Sequence, residues 1–368
     1  MNALRAMILG NLMHRPLRTL ITIVAVAAEV CLVVVIVGLT TGVLQETAKR
    51  IEGVGADLML QPPASSFIIQ FSGAPMPVKI QEKLDAIPHV AAVAPVLLQF
   101  HTSGGLDTVY GIDLARFTAV SRGFVYHAGG PFERPGDVLV DDWYASARNL
   151  KVGDTLRLFE NDFTVRGIVE HGKGARLFVP LERLQDLSAA RDKASLFFIR
   201  VDEPKNIELV SEEIRKLFPR HQLRPVREFF DIMTSSRLPG LNEFVNSMIA
   251  LGFAVGFLVI FLAMYTTILE RTREIGILKS MGASKFDIVL LVLRESLLLC
   301  AIGAALGVGF SYAAAAGLKA AFPTLTVLIT IGWLFKAIAL AVVGGALGAA
   351  YPAWLAARQD AIVALAYE

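Results

Sequence analysis

The chain has 368 residues, 54% of them hydrophobic and only 18% charged, with a mean hydropathy of +0.56. A soluble domain of that length rarely carries such an imbalance, so the composition points to an integral membrane protein. A formal net charge of +2 argues against a nucleic-acid surface or a strongly acidic substrate.

In chain order, residues 1–18 read as a cytoplasmic amphipathic segment carrying Arg5, Arg15 and Arg18. The first span, 19–42, has the apolar run Leu20 to Leu39, close to the roughly 20 residues that cross a bilayer. It contains Glu29. A carboxylate near a helix centre costs about 3 kcal/mol, whereas a dozen Leu, Ile, Val and Phe residues at about 0.3–0.6 each return roughly 4–7 kcal/mol, so the segment still inserts. Glu29 has two readings: a contact to substrate or to a partner helix, or a carboxyl that is protonated or bonded to Thr266 or Thr267. A cleaved signal peptide is disfavoured, because the basic stretch and the apolar run are both long and Gly38-Leu39-Thr40-Thr41 lacks an A-x-A site.

Residues 43–243 break from the membrane pattern and hold most of the charge, which predicts an extracytoplasmic domain with its own core. Ala56–Gln61, Ala92–Phe100, Asp137–Val140, Leu156–Phe159, Phe163–Val169 and Phe197–Val201 read as strands. Pro77–Ile87, Trp143–Asn149 and Ile207–Phe218 read as helices. Val152-Gly153-Asp154 and Glu160-Asn161-Asp162 carry turn chemistry. The expectation is a mixed α+β domain in two lobes. His89, His101, His127, His171 and His221 are scattered, with no metal-ligand spacing and no nucleophile elbow, so no catalytic residue and no metal site is assigned. His171-Gly172-Lys173-Gly174 lacks phosphate-loop spacing and reads as a solvated hairpin loop.

Three further spans follow, 244–269, 288–318 and 333–357, around the apolar runs Met248–Leu269, Ser296–Gly317 and Ala337–Ala357. An outer loop at 319–332 and a cytoplasmic tail at 358–368 complete the chain. Arg271, Arg273, Lys279 and Lys285 crowd the connection 270–287, whereas the loop after the third span has only Lys319 and Lys336; the basic segments are therefore expected in the cytoplasm, with both termini. Gly303 with Gly307, and Gly344 with Gly348, are small-xxx-small pairs that mark helix packing, in the bundle or in a dimer. Cys31 and Cys300 lie in apolar runs and read as fillers, not a disulfide. Arg294 and Glu295, at the mouth of the third span, are expected to snorkel or pair locally.

The most informative segment is Glu270–Phe286, ERTREIGILKSMGASKF. It reads as a short helix with Ile275, Leu278 and Met281 on one side, ended by Gly282-Ala283-Ser284. From periodicity alone, docking into a groove of a soluble partner and lying among lipid headgroups weigh equally.

This segment closely resembles the coupling-helix signature of the MacB/FtsX-like ABC permease family, the mechanotransmission type that includes LolC/E-like proteins. Arg15-Pro16-Leu17-Arg18-Thr19-Leu20 is similar to the family's entry into the first helix, and Tyr351-Pro352-Ala353 through Arg358 to its ending. Gly55-Ala56-Asp57-Leu58, Ile87-Pro88-His89-Val90, Tyr110-Gly111-Ile112-Asp113 and Leu150 to Asp154 resemble its outer-domain landmarks. Departures occur at Ala366, where a basic residue is usual, and at Gln359-Asp360-Ala361, where Asp-Pro is common.

The resemblance implies an all-α region of four transmembrane helices with the α+β domain inserted between the first and second. It implies residence in the bacterial inner membrane and a homodimer of this chain bound to two cytoplasmic ATPase subunits. ATP and Mg would sit on those subunits, since no Walker A sequence occurs here, so no cofactor and no enzyme activity are expected on this chain. Arg271, Arg273, Glu274, Ile275, Gly276, Leu278, Lys279, Met281, Gly282 and Ala283 would carry the coupling contact. Membrane lipids and a periplasmic adaptor or client protein are further expected partners; nucleic acid is not. Two functions follow from the resemblance: export or extraction of a hydrophobic or amphipathic client (lipoprotein, lipid, peptide or antibiotic), or activation of a cell-wall hydrolase without transport.

Overall fold

A computed structural model describes residues 16–63, 75–101, 107–234, 241–322 and 324–359. Arg5, Arg15 and the Ala364–Glu368 ending lie outside the described residues. The helices are α1 (Pro16–Glu52), α2 (Ile80–Asp85), α3 (Leu114–Ser121), α4 (Asp142–Arg148), α5 (Leu181–Leu187), α6 (Ile207–Leu217), α7 (Val226–Thr234), α8 (Leu241–Glu270), α9 (Thr272–Ser280), α10 (Lys285–Ala321) and α11 (Ile331–Arg358). The strands are β1 (Leu58–Gln61), β2 (Met76–Pro77), β3 (Val90–His101), β4 (Asp107–Ile112), β5 (Tyr126–Gly129), β6 (Asp137–Asp141), β7 (Thr155–Leu158), β8 (Asn161–Val169), β9 (Leu177–Pro180), β10 (Lys193–Ala194), β11 (Leu196–Val201) and β12 (Gln222–Pro225). Contacts divide the described chain into two compact units: residues 16–40, 241–318 and 327–359, and residues 41–234 and 319–326.

The first unit is a helical bundle. Among the described residues, α1, α8, α10 and α11 are the four helices long and apolar enough to cross a membrane. Val26, Val30, Ile260, Met264, Leu299, Ala341 and Ala349 meet in its core. Large apolar side chains also face outward, among them Leu20, Leu258, Leu262, Phe310 and Leu347. A helix apolar on both its inner and outer faces needs lipid as its second solvent. The glycine pairs resolve into faces within the bundle. Gly303 and Gly307 of α10 lie against Val26, Ala27 and Val30 of α1; Gly344 and Gly348 of α11 lie against Phe253 and Phe257 of α8. Without Cβ atoms the backbones approach closely, which is how helices gain contact where no hydrophobic drive separates lipid from side chain. Cys300 is buried beside Gly345, Cys31 is half-buried, and both are free thiols.

The second unit is the α+β domain. Its main sheet runs β12-β1-β11-β3-β4-β9-β6-β8-β5, with β7 paired to the far end of β8, and β2 with β10 forms a separate ribbon. The pairs β4–β9 and β6–β8 are parallel; the others are antiparallel. Two hydrophobic cores line this one sheet. Leu58, Leu84, Phe197, Ile199, Val210 and Ile214 fill one, where α2 and α6 pack. Val109, Val138, Tyr144, Phe163, Leu177 and Leu184 fill the other, under α4 and α5. The two lobes are thus two cores on a continuous sheet.

Local chemistry explains several boundaries. The Asp113 carboxylate accepts the Arg116 N–H at the start of α3, and Asp141 accepts the Tyr144 N–H at 2.6 Å at the start of α4. Asn149, in the left-handed region at φ 53°, ends α4. Three expectations are corrected. The β7–β8 turn is centred on Phe159 and Glu160, both at positive φ, while Asn161 and Asp162 already belong to β8; the Asn161 amide donates to the Phe159 carbonyl at 2.7 Å and stabilises that shift. The loop 171–174 is packed, not solvated: Gly172 sits against Gly53, and Lys173 donates to the Ser121 carbonyl at 2.8 Å. The histidines are not all isolated, since His171 and His127 both approach Asp142, at 3.0 and 3.8 Å. Among the described residues, no group of three or more His, Cys, Asp or Glu is placed to hold a metal ion.

Candidate functional site

The connection between α8 and α10 is the densest polar cluster of the helical unit. Arg271, at the entry to α9, binds Glu274 through Nε at 2.7 Å and Glu295 of α10 through Nη1 at 3.3 Å. Arg18 of α1 binds the Thr267 hydroxyl at 2.8 Å and pairs with Glu270. Lys279, in the last turn of α9, donates to the carbonyls of Ala357 and Gln359 at 2.7 and 2.6 Å. Those acceptors are among the carbonyls a helix leaves unpaired at its C-terminus, so the lysine caps α11. The short helix and its entry residue are therefore bonded to α10 and α11, and the adjoining end of α8 is bonded to α1.

The end of α9 follows from Gly282. At φ +98° its N–H meets the Lys279 carbonyl, and the next N–H, of Ala283, reaches back to Leu278. That is a Schellman closure, which favours a residue without Cβ. Ser284 and Asp287 then exchange hydrogen bonds, 2.9 Å from the Ser284 N–H to the carboxylate and 3.2 Å from the Asp287 N–H to the hydroxyl, which starts α10. Replacing Gly282 with alanine should destabilise the protein by about 1 kcal/mol through backbone strain alone, because nothing else stands within 4 Å of the added methyl. A thermal melt of the variant against the parent protein checks this.

The structure redistributes the expected contact residues. Ile275 and Gly276 are buried, and Ile275 and Leu278 pack into the bundle core. The side expected to meet a partner is thus split: Met281 is 72% exposed, and Ile277 at 43% and Phe286 at 71% join it, rimmed by exposed Arg273, Glu274 and Lys285. Ile277 and Met281 are four residues apart and so share a helix face. Phe286 follows the Gly282 turn at the start of α10 and was not among the residues that helical spacing singled out. Ala283 is half-buried at the turn. Glu295 was expected to pair locally, and its partner is Arg271. Of the alternatives for Glu29, a bond to Thr266 or Thr267 does not form: those hydroxyls donate to carbonyls of their own helix, and the Glu29 carboxyl occupies the space that Gly256 leaves on α8.

Two family models match the chain, and the second includes this segment. The MacB-like periplasmic core domain matches residues 19–217, and the FtsX-like permease C-terminal domain matches residues 246–361. The chain belongs to the MacB/FtsX-like family of ABC transporter permeases. The macrolide export ATP-binding/permease protein MacB of Hahella chejuensis is 27% identical over 96% of this permease and 58% of its own length. The corresponding MacB of Rhodospirillum rubrum is 28% identical over 95% of the permease and 58% of its own length. An uncharacterised ABC transporter permease of Methanocaldococcus jannaschii is 25% identical over 88% of the permease and 86% of its own length. The permease therefore spans little more than half of the MacB relatives and most of the archaeal one. The periplasmic region of MacB from Actinobacillus actinomycetemcomitans aligns with a TM-score of 0.38 at 15% identity, over 48% of the permease and 92% of that chain.

Proposed function

We propose that the permease couples ATP hydrolysis by cytoplasmic ATPase subunits to motion of its α+β domain, and so exports or extracts a hydrophobic or amphipathic client. The observation that carries this reading is the bonding of the segment 270–287. An exposed apolar patch, Ile277 and Met281 at the end of α9 with Phe286 at the start of α10, stands on a segment tied to α10 by Arg271–Glu295 and to α11 by the Lys279 cap, beside the Arg18–Glu270 pair that ties α1 to α8. Force applied to that patch is delivered to every span. The excess of Arg and Lys around it favours the cytoplasmic side of the bacterial inner membrane, where ATP is available. The working assembly in this reading is a homodimer with two ATPase subunits.

Co-expression with a candidate ATPase, followed by copurification and ATP turnover, tests the reading. Ile277→Asp, Met281→Asp and Phe286→Asp together should reduce copurification at least about tenfold, as expected when central apolar anchors are lost. The melting temperature should stay near that of the parent, because all three side chains are exposed. Undiminished binding by the triple variant would sink the docking site. Ile275→Asp serves as the contrast, losing the fold before it loses the partner.

A further inference from the structure

The domain unit contains a cavity of about 570 Å³ that plays no part in the coupling segment. Arg50 of the last turn of α1, Tyr144 and Arg148 of α4, and Arg176 just before β9 supply its polar side together with the Glu46 and Asp107 carboxylates; Phe322 and Leu325 supply an apolar one. The volume lies within the range of sites that hold small organic ligands.

The three arginines are not equally well matched by the carboxylates around them. Arg148 is matched by Asp107 at 3.2 Å. Arg176 is matched by Asp141 at 3.2 Å and donates to the Thr324 carbonyl at 2.9 Å. Arg50 is held less well. Its Nε is buried and makes no hydrogen bond, the Glu46 carboxylate is 3.9 Å away, and the bond from Nη2 to the Thr47 hydroxyl is long, 3.4 Å. Arg176 is near enough to repel it, and Glu46 and Asp141 are near enough to attract it. The Tyr144 hydroxyl is buried and closes no hydrogen bond of good geometry, and burial together with the neighbouring Asp107 carboxylate pushes its ionisation upward, so it stands at the cavity as a neutral donor. Buried donors left unpaired are costly, and two on one cavity wall mark where an anionic oxygen would be held most strongly.

We propose that this cavity binds an anionic amphiphile, with a phosphate or carboxylate group on Arg50 and Tyr144 and an apolar portion against Phe322 and Leu325. The site does not depend on ATPase docking, and its residues are absent from the coupling segment. The same anion could arrive as the headgroup of an amphiphile or as a free ion, and the apolar wall favours the former.

The test is a calorimetric titration of the full chain in a neutral maltoside detergent with dodecyl phosphate, and in parallel with inorganic phosphate. Dodecyl phosphate is expected to bind saturably, one per chain, and inorganic phosphate at least about a hundredfold more weakly. Arg50→Gln should weaken dodecyl phosphate about tenfold or more by removing a charge-assisted contact. Tyr144→Phe, which keeps the ring in place, should weaken it severalfold and decides the matter should Arg50→Gln fail to fold. Equal affinity for the two phosphates would overturn the amphiphile assignment. Absent saturable binding, or binding unchanged by both variants, would overturn the site.

Discussion

Asp141→Asn is expected to lower the melting temperature of the permease by roughly 10 °C, the consequence of about 3–5 kcal/mol lost from a domain of this size. Asp141 and Arg176 form an ion pair with side chains only 1% and 5% exposed. Burial pushes the Asp141 carboxyl up to about 6, the Arg176 charge and the Tyr144 N–H opposing that rise. Asparagine still accepts the Tyr144 N–H and caps α4, so the substitution isolates the charge. What remains is a guanidinium buried without its counter-ion, the costly half of a broken pair. Arg176→Met added to Asp141→Asn should recover part of the loss, since both charges are then gone. The melt can be followed by the fluorescence of Trp143, whose ring lies 5.7 Å from the Arg176 guanidinium. A single variant as stable as the parent would show that the pair is not what holds β9 to β6.

Gly307→Ala should destabilise the bundle by about 1–3 kcal/mol, whereas Gly344→Ala and Gly309→Ala should change it little. The added methyl at Gly307 would stand 2.7 Å from the Ala27 carbonyl oxygen and 2.8 Å from Val30 Cβ, both parts of α1 that yield only if the helices separate. At Gly344 the nearest atom is on the Phe253 ring, at 3.2 Å, and a ring can turn. At Gly309 nothing lies within 4 Å, so this variant reports helix propensity alone. The three melts, measured in one detergent, separate backbone contact from propensity. A Gly307→Ala variant that melts with Gly309→Ala would refute the close approach of α10 to α1.

Much of the architecture was legible in the sequence because its signals are local. Four apolar runs of sufficient length define the spans, since an unpaired backbone has no partner in lipid. Short β-like runs located β1, β3, β6, β7, β8 and β11, and the amphipathic spacing of Ile207, Val210 and Ile214 located α6. The strands β4, β5, β9 and β12 were not anticipated, and neither were helices α3, α5 and α7. They are short, and β4 and β9 pair in parallel across a separation of some seventy residues, so their stability comes from neighbours that no local window contains.

The candidate site divides the same way. The sequence by itself determined that residues 270–287 form a basic, glycine-ended helix between two spans, because charge, helical spacing and the turn at Gly282 are properties of consecutive residues. Only the tertiary structure decided that Ile275 and Leu278 turn inward while Ile277, Met281 and Phe286 stay exposed, since the bundle's own apolar face competes for the same side chains. It alone joined Arg18 to Glu270, Arg271 to Glu295, and Lys279 to the end of α11, and it alone gathered Arg50, Tyr144 and Arg176 around one cavity. Each of those contacts brings together charges or dipoles far apart along the chain, and their energy depends on distance in space, about which residue order says nothing.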